Sequence, residues 1–456
     1  MKGESVGRSD DAISACAGPR GVLPAVGLCL LVALMTLLWG CADVGEVTST
    51  PITDAPTQSP AADPEQAASP EPTHTLVGPQ SPISLTVWVP EEYSPEGPGG
   101  EVWAQALTAF AELPNGAPVT CRPKKPYGIG GISNLLATTG LVNPGRLPDL
   151  VIVDASEIAS AAVKGLLQPL SGEFSQEILG DMYAFAVEAG RHDGELCAIP
   201  FAADICFAAY DTDDLREAPI SWAGIMTDGI RYAFPAGPGG CAAGDALLLQ
   251  CMALGDSAWK PEGSTLLRQR DLSQALGFYW EGMRRGSIPA AVLGASSLEE
   301  TWAMLKGGEA NLVHVDSRQY TQQRKDHPSL RYASIPTAQG RPATLARSWA
   351  WCVTTDEPHR RQSAIALIAW LMSTETLGQW SSISGHLPTR RSALSVAVED
   401  AAYEAFLRQQ LDNARCYPLA SEADALSDGL GAAARDVLRG SATPEEAALV
   451  VARAMR

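Results

Sequence analysis

Positive charge is scarce in this chain. Against 52 Asp and Glu stand only 33 Lys and Arg, a formal charge of −19 over 456 residues. The first forty residues balance, Lys2, Arg8 and Arg20 against Glu4, Asp10 and Asp11, so the whole deficit belongs to the remainder. A body so acidic excludes a nucleic-acid partner, which needs clustered Lys and Arg for phosphate. Its default meaning is solubility. Metal signals are missing too. Ten cysteines form no Cys-x-x-Cys and no Cys/His zinc spacing, and six histidines show no ligand spacing. His-Glu-x-x-His and Gly-x-Ser-x-Gly are absent. Tyr127-Gly-Ile-Gly-Gly lacks the third glycine and distant acid of a dinucleotide fingerprint. No Lys-Ser or Lys-Thr follows Pro235-Ala-Gly-Pro-Gly-Gly, and Asp211-Thr-Asp213-Asp214 lacks the Gly and distal Glu of a calcium loop. No cofactor, metal or catalytic residue is expected. A paired-carboxylate glycosidase stays open, because sequence does not give the separation of two acids.

One long apolar run exists, Val22 to Leu38, behind a polar start and ahead of Leu38-Trp39-Gly40-Cys41. This is the layout of a secretory signal, its apolar segment short for a permanent span; an uncleaved anchor helix is the alternative. Leu-x-Gly-Cys resembles the bacterial lipobox, which implies lipidation of Cys41 as the mature N-terminus, although Trp39 is bulky for its slot. Either way the body lies outside the cytoplasm. Residues 42–82 hold eight prolines, six acids, no Lys or Arg and no aromatic. Such a segment buries too little apolar surface to fold and reads as a disordered tether spanning about 35 Å. Beyond Cys16, Cys29 and Cys41 seven cysteines remain. An odd number leaves at least one unpaired within the chain, and most read as small core side chains.

The folded body begins at Ile83. Ser84 to Val89 reads as a strand, Val102 to Ala111 as a helix, Pro118 to Arg122 as a strand and Ile132 to Thr139 as a helix. Leu150 to Val153 is a continuous apolar strand ending in Asp154, with a helix from Ser156. Strand, polar residue, helix is the doubly wound idiom, with ligands at the carboxyl ends of strands. It recurs at Asn311–Val315 with Asp316, and at Trp349–Val353 with Thr354-Thr355-Asp356. The stretch Asp193 to Leu215 is different. A Gly turn leads into an apolar run that breaks at Pro200, and a second run, Ile205 to Tyr210, ends in Asp211-Thr212-Asp213. Asp204 lies between them with no basic neighbour. Two strands joined through a proline suit a crossover between lobes; an ordinary strand pair with a solvated Asp is the alternative.

Gly-x-Leu-x-x-Ile-Pro-Phe-x-x-Asp, then Tyr210-Asp-Thr-Asp-Asp-Leu, resembles the first hinge of extracellular solute-binding proteins of ABC transporters, the maltose-binding-protein-like family. Thr301 to Ala310, Ser348-Trp-Ala-Trp-Cys-Val and Leu387-Pro-Thr-Arg-Arg resemble later elements of that family in order. The resemblance covers nearly all of 83–456. It implies an α/β, two-lobe periplasmic-binding-protein-like fold (type II) with lobes linked by hinge crossovers. The expected boundaries are 1–40 signal, 41–82 tether, 83–204 and 311–345 first lobe, and 205–310 and 346–456 second lobe with C-terminal helices. It also implies a monomer that delivers a small solute to an ABC permease and is held to the membrane by the lipid on Cys41.

A cleft that captures a sugar needs carboxylates for hydroxyls and flat aromatic faces for the ring. Trp88, Asp154, Asp204, Asp316, Trp349 and Trp351 stand where strands should reach such a cleft, with Tyr210 and Phe234 as secondary candidates. Asp154 alternatively caps the next helix, Asp316 faces water, and Trp349 and Trp351 share a face that is core. Carbohydrate is the preferred ligand. A cationic solute such as a polyamine, with the acids as counter-charges beside Trp faces, is second. A surface glycoside hydrolase is third.

Overall fold

The computed structural model describes residues 83–255, 267–417 and 420–454. The expected signal, Cys41 and the tether lie outside them. Among the described residues the strands are β1 (Leu85–Pro90), β2 (Val119–Lys124), β3 (Leu150–Asp154), β4 (Arg191–His192), β5 (Glu195–Leu196), β6 (Ile199–Asp211), β7 (Tyr232–Ala233), β8 (Leu312–Asp316), β9 (Leu330–Ala333), β10 (Thr344–Val353), β11 (Leu387–Pro388) and β12 (Ala414–Cys416). The main sheet runs β2-β1-β3-β10-β6-β8-β7, with β9 and β11 also on β6 and β12 on β10. β4 and β5 form a separate hairpin. Its turn has both central residues at positive φ, Asp193 at 48° and Gly194 at 81°, the geometry that matches strand twist in a two-residue loop.

The sheet is two half-sheets sharing β6. The first half of β6 pairs antiparallel with β10, from Trp351↔Ile199 to Ala346↔Ile205. Its second half pairs with β8, from Cys206↔Asp316 to Tyr210↔Leu312, and with β9. On the first side β1 is parallel to β2 and β3, and β10 runs antiparallel to β3. On the second, β7 is parallel to β8. This is the two-lobe α/β architecture, with the lobes joined through strands that belong to both.

Two sequence expectations need correction. Pro200 does not break the chain into two strands: Ile199–Asp211 is one strand of thirteen residues. Proline has no N–H to give, and the register with β10 shifts between Trp349 and Ala350, opposite it. The Pro200 carbonyl is still used, by Thr389 Oγ1 at 2.7 Å. The expected lobe boundaries between residues 311 and 353 are also inverted, although the C-terminal helices Ala420–Arg439 and Pro444–Ala454 do pack on second-lobe helices as expected. β8 and β9 bond to the second half of β6, and β10 bonds to β3 and the first half. Residues 311–343 therefore stay with the second half-sheet, and the chain returns to the first at β10.

Side-chain alternation builds the layers. In the first half-sheet Val87, Val89, Ile152, Trp349 and Trp351 point to one core, which Trp103 and Trp380 share. Trp88, Val151, Val153, Ala350 and Cys352 point to the other, against Ile132, Leu136 and Ile158 of two short helices. In the helix Gln269–Arg285 the apolar residues Leu272, Ala275, Leu276 and Tyr279 recur at helical spacing and are all buried. Among the described residues the seven cysteines form no disulfide, and burial raises the thiols of Cys206, Cys251, Cys352 and Cys416 far above their ordinary range, so these four are inert core side chains.

The Leu387-Pro-Thr-Arg element ties the C-terminal region to β6. Beside the Thr389 contact, buried Arg390 gives Nε to Asp181 Oδ2 at 2.9 Å and its other nitrogens to the carbonyls of Met372 and Glu177. Arg390→Ala leaves Asp181 without its guanidinium and two carbonyls without their donors. It is expected to lower stability by about 3 kcal/mol in urea unfolding; a loss near zero would mean that this knot is ornamental.

Candidate ligand-binding site

Carboxyl ends of strands from both half-sheets converge where β6 passes from one half-sheet to the other, as in open α/β sheets generally. β1 runs into a short 3-10 turn carrying Glu92 and Tyr93. The loop after β2 carries Tyr127 on a glycine-rich turn, with Gly128 and Gly130 at φ near +78° and +77°. β3 ends in Asp154, β8 in Asp316, and Arg318 follows in the next helix. Asp204 is at the middle of β6, and His386 immediately precedes β11.

Asp154 does cap the following turn, accepting from the Ser156 amide at 2.9 Å and its hydroxyl at 2.7 Å. Its second oxygen accepts the Tyr127 hydroxyl at 2.7 Å. Burial and the charge of Asp154 hold that phenol protonated. Trp349 is the register partner of Asp154 across the β3–β10 ladder. Its ring lies 5.6 Å from Tyr127 and 5.2 Å from Tyr93, centre to centre. Tyr127, 38% exposed, is the open face of this aromatic group, and Trp349, 7% exposed, its backing.

Asp204 meets His386, whose Nδ1 is 2.9 and 3.1 Å from its two oxygens. The imidazole stacks on Trp380 with the planes 5° apart and places Nε2 4.0 Å from Glu92. Glu92 in turn accepts from Arg318 Nη1 at 3.1 Å, a pair joining the first half-sheet to the second. Arg318 fits because Gly385, at φ +81°, carries no side chain where its aliphatic stem passes. Arg347 is the register partner of Asp204, yet its guanidinium pairs with Asp245 at 2.9 Å and covers the Tyr417 ring at 3.7 Å. Asp316 caps its helix through the amides of Arg318 and Gln319 at 2.8 and 3.3 Å. Burial first and the charge of Asp204 second hold its carboxyl well above the usual carboxylate range.

Of the six residues singled out in the sequence, Asp154, Asp204, Asp316 and Trp349 come together here. Trp351 does not: it packs on Phe201 at 5.3 Å and Trp103 at 6.3 Å, deep in the first core. Trp88 points to the opposite core, with only Lys124 Nζ, 5.4 Å above its ring, near solvent. Phe234 is buried against Tyr279. Tyr93, Tyr127, Glu92, Arg318, Arg347 and His386 were not singled out in the sequence. Tyr127 carried a signal, an aromatic at a strand's carboxyl end before a glycine-rich turn. Among the described residues no cluster of His, Cys, Asp or Glu is arranged to hold a metal ion.

Asp316→Asn removes a titration and keeps the cap, since Asn caps as well as Asp. A carboxyl raised on folding makes the native state the stronger proton binder, so stability falls as pH climbs from the unfolded value to the folded one. The variant should therefore gain on the wild type as pH rises from about 4 to about 8, by on the order of 1 kcal/mol because the side chain is partly open to solvent. Urea unfolding across that range reads it; a pH-independent difference would refute the assignment.

A sequence model described as bacterial extracellular solute-binding protein matches residues 130–405. No curated protein sequence matches. Among solved structures, the sugar-binding protein MalE of Xanthomonas citri is similar with a TM-score of 0.68 at 18% identity, over 81% of this chain and 96% of that one. A cyclic α-maltosyl-1,6-maltose binding protein of Arthrobacter globiformis gives 0.67 at 16% identity, over 82% and 98%. A Staphylococcus aureus extracellular solute-binding protein in complex with maltose gives 0.65 at 15%, over 82% and 97%. At these identities the structures establish the fold, and the sequence match establishes more. This chain belongs to the bacterial extracellular solute-binding proteins, a family of extracytoplasmic binding proteins and not of enzymes.

Proposed function

We propose that this protein captures a carbohydrate between its lobes and hands it to an ABC importer in the membrane. The observation that carries the ligand class is the group Tyr127, Trp349 and Asp154: an aromatic face with a carboxylate at its edge, at the carboxyl end of β3. A sugar's C–H face lies on such a ring while a hydroxyl donates to the acid. Three similar structures, a cyclic α-maltosyl-1,6-maltose binding protein, a sugar-binding MalE and a solute-binding protein in complex with maltose, support that class. The lobes divide at Asp204–Ile205 and again at the start of β10, with Asp204 and Asp316 on the cleft floor. Closure is biased by the ligand, so affinity reflects the difference in binding between open and closed states. A purely cationic solute such as a polyamine is the second reading, favoured by the number of carboxylates around the crossing.

The body works from the outer face of the cell membrane, held by a lipid on Cys41 through the tether 42–82. Among the described residues no helix is long and apolar enough to cross a membrane. Labelled fatty acid is expected to enter the wild-type chain in bacteria and not a Cys41→Ala variant; equal labelling would remove the anchor.

Titration with a panel of neutral di- and trisaccharides, read by tryptophan fluorescence, tests the ligand class. Tyr127→Ala should weaken the best sugar about tenfold, the loss of one stacking face, and leave folding cooperative because the ring is half exposed. Trp349→Ala should weaken it as well. Unchanged affinity in both variants would retire the aromatic face as the sugar platform.

A further inference from the structure

Each cation around the crossing is already committed. Arg318 answers Glu92, His386 answers Asp204, and Arg347 answers Asp245 although its register partner is Asp204. Asp316 is different: among the described residues it has only two backbone amides and no side-chain cation. Its neighbours by charge are Asp204 on β6, His386 before β11, Cys206 on β6 and Tyr403 from the helix Ala401–Asp412. Only the imidazole can offset it.

A second observation points the same way. Tyr93 is 2% exposed, and its hydroxyl has no hydrogen-bond partner among the described residues. Its ring lies 5.2 Å from His386 and 5.2 Å from Trp349, and its oxygen feels the negative charges of Glu92 and Asp204 and the positive charge of Arg318. A buried hydroxyl without a partner costs free energy that a ligand donor recovers. Asp316 is the register partner of Cys206, two residues beyond Asp204 on the same face of β6, and Tyr93 packs on the His386 ring that Asp204 holds, so the three set acceptors side by side with more carboxylates than cations. They do not converge as a metal site. A group with three diverging donors and one positive charge matches them, and that group is an ammonium.

We propose that the sugar bound here carries a protonated amine, seated against Asp316 and Asp204 with the Tyr93 hydroxyl as third acceptor, while its ring lies on Tyr127 and Trp349. The inference rests on the carbohydrate reading and narrows it to amino sugars. Burial and Asp204 keep the Asp316 carboxyl partly protonated when the cleft is empty, so amine binding releases a proton.

The test is titration of the full chain, by calorimetry, with four probes. They are a glucosamine disaccharide, its N-acetylated form, the plain glucose disaccharide of the same linkage, and spermidine. The glucosamine disaccharide is expected to bind at least about tenfold more tightly than either neutral sugar, with proton release at about neutral pH. Asp316→Asn should collapse that preference towards one, and Tyr93→Phe, which keeps the ring packing, should reduce it. Equal affinity for all three disaccharides, or a preference that survives both variants, overturns the amine and leaves the carbohydrate reading standing. Spermidine tighter than every sugar, or no binding by any probe, overturns both.

Discussion

The molecule depends on β6 remaining one strand. Its first six residues hydrogen-bond into one half-sheet and its last six into the other, with Asp204 and Ile205 at the handover. A strand bonded on both sides is stiff within each half-sheet and least held where its partners change, which is at Asp204 and Ile205. The same geometry fixes the site. Alternation along β6 and β10 decides which side chains look into the space above the crossing, and the parallel strands of both halves end there. Glu92, Tyr127 and Asp154 arrive from one side, Asp316 and Arg318 from the other.

Electrostatics follows from that convergence. Carboxylates from separate elements are brought into partly dry surroundings, where each needs a partner. Glu92, Asp204 and Asp245 find cations, whereas Asp154 and Asp316 find only hydrogen-bond donors. The Glu92–Arg318 pair spans the two half-sheets, so charge as well as backbone links them. His314, in contrast, lies within β8, buried beside the Tyr232 hydroxyl, and burial alone depresses it to about 3, so it stays neutral and takes no part in the site.

Much of the scaffold was legible because it is local. Leu150–Val153 with Asp154 and Asn311–Val315 with Asp316 read as strand plus polar end, and both were. What local pattern does not carry is which half-sheet a strand joins. The two segments look alike, yet β3 lies in one half and β8 in the other, and the boundaries drawn between 311 and 353 failed for that reason. Pro200 misled in a related way. A proline removes one donor from a ladder, but a bulge at Phe201 shifts the register with β10 there, and Thr389 donates to the Pro200 carbonyl, so the strand continues. The tryptophans split by depth: Trp349 and Trp351 do share a face, but one residue pair further along β10 is already core. Trp88, between Val87 and Val89, falls on the opposite layer by simple alternation.

The site's cost explains its arrangement. Asp204 and Asp316 are close enough for one to raise the other, and both sit where the halves meet. A protein selected for stability alone would place an apolar or oppositely charged group at one of the two positions. If the halves close as proposed, motion that brings the two nearer in an empty cleft is resisted, or met by proton uptake at Asp316. A bound cation removes that resistance, and its binding energy then favours the closed arrangement specifically. A neutral ligand leaves the repulsion in place and must overcome it through stacking and hydroxyl contacts. On the proposed reading, the same pair of carboxylates that lowers the stability of the empty protein would give a cationic ligand its leverage over closure.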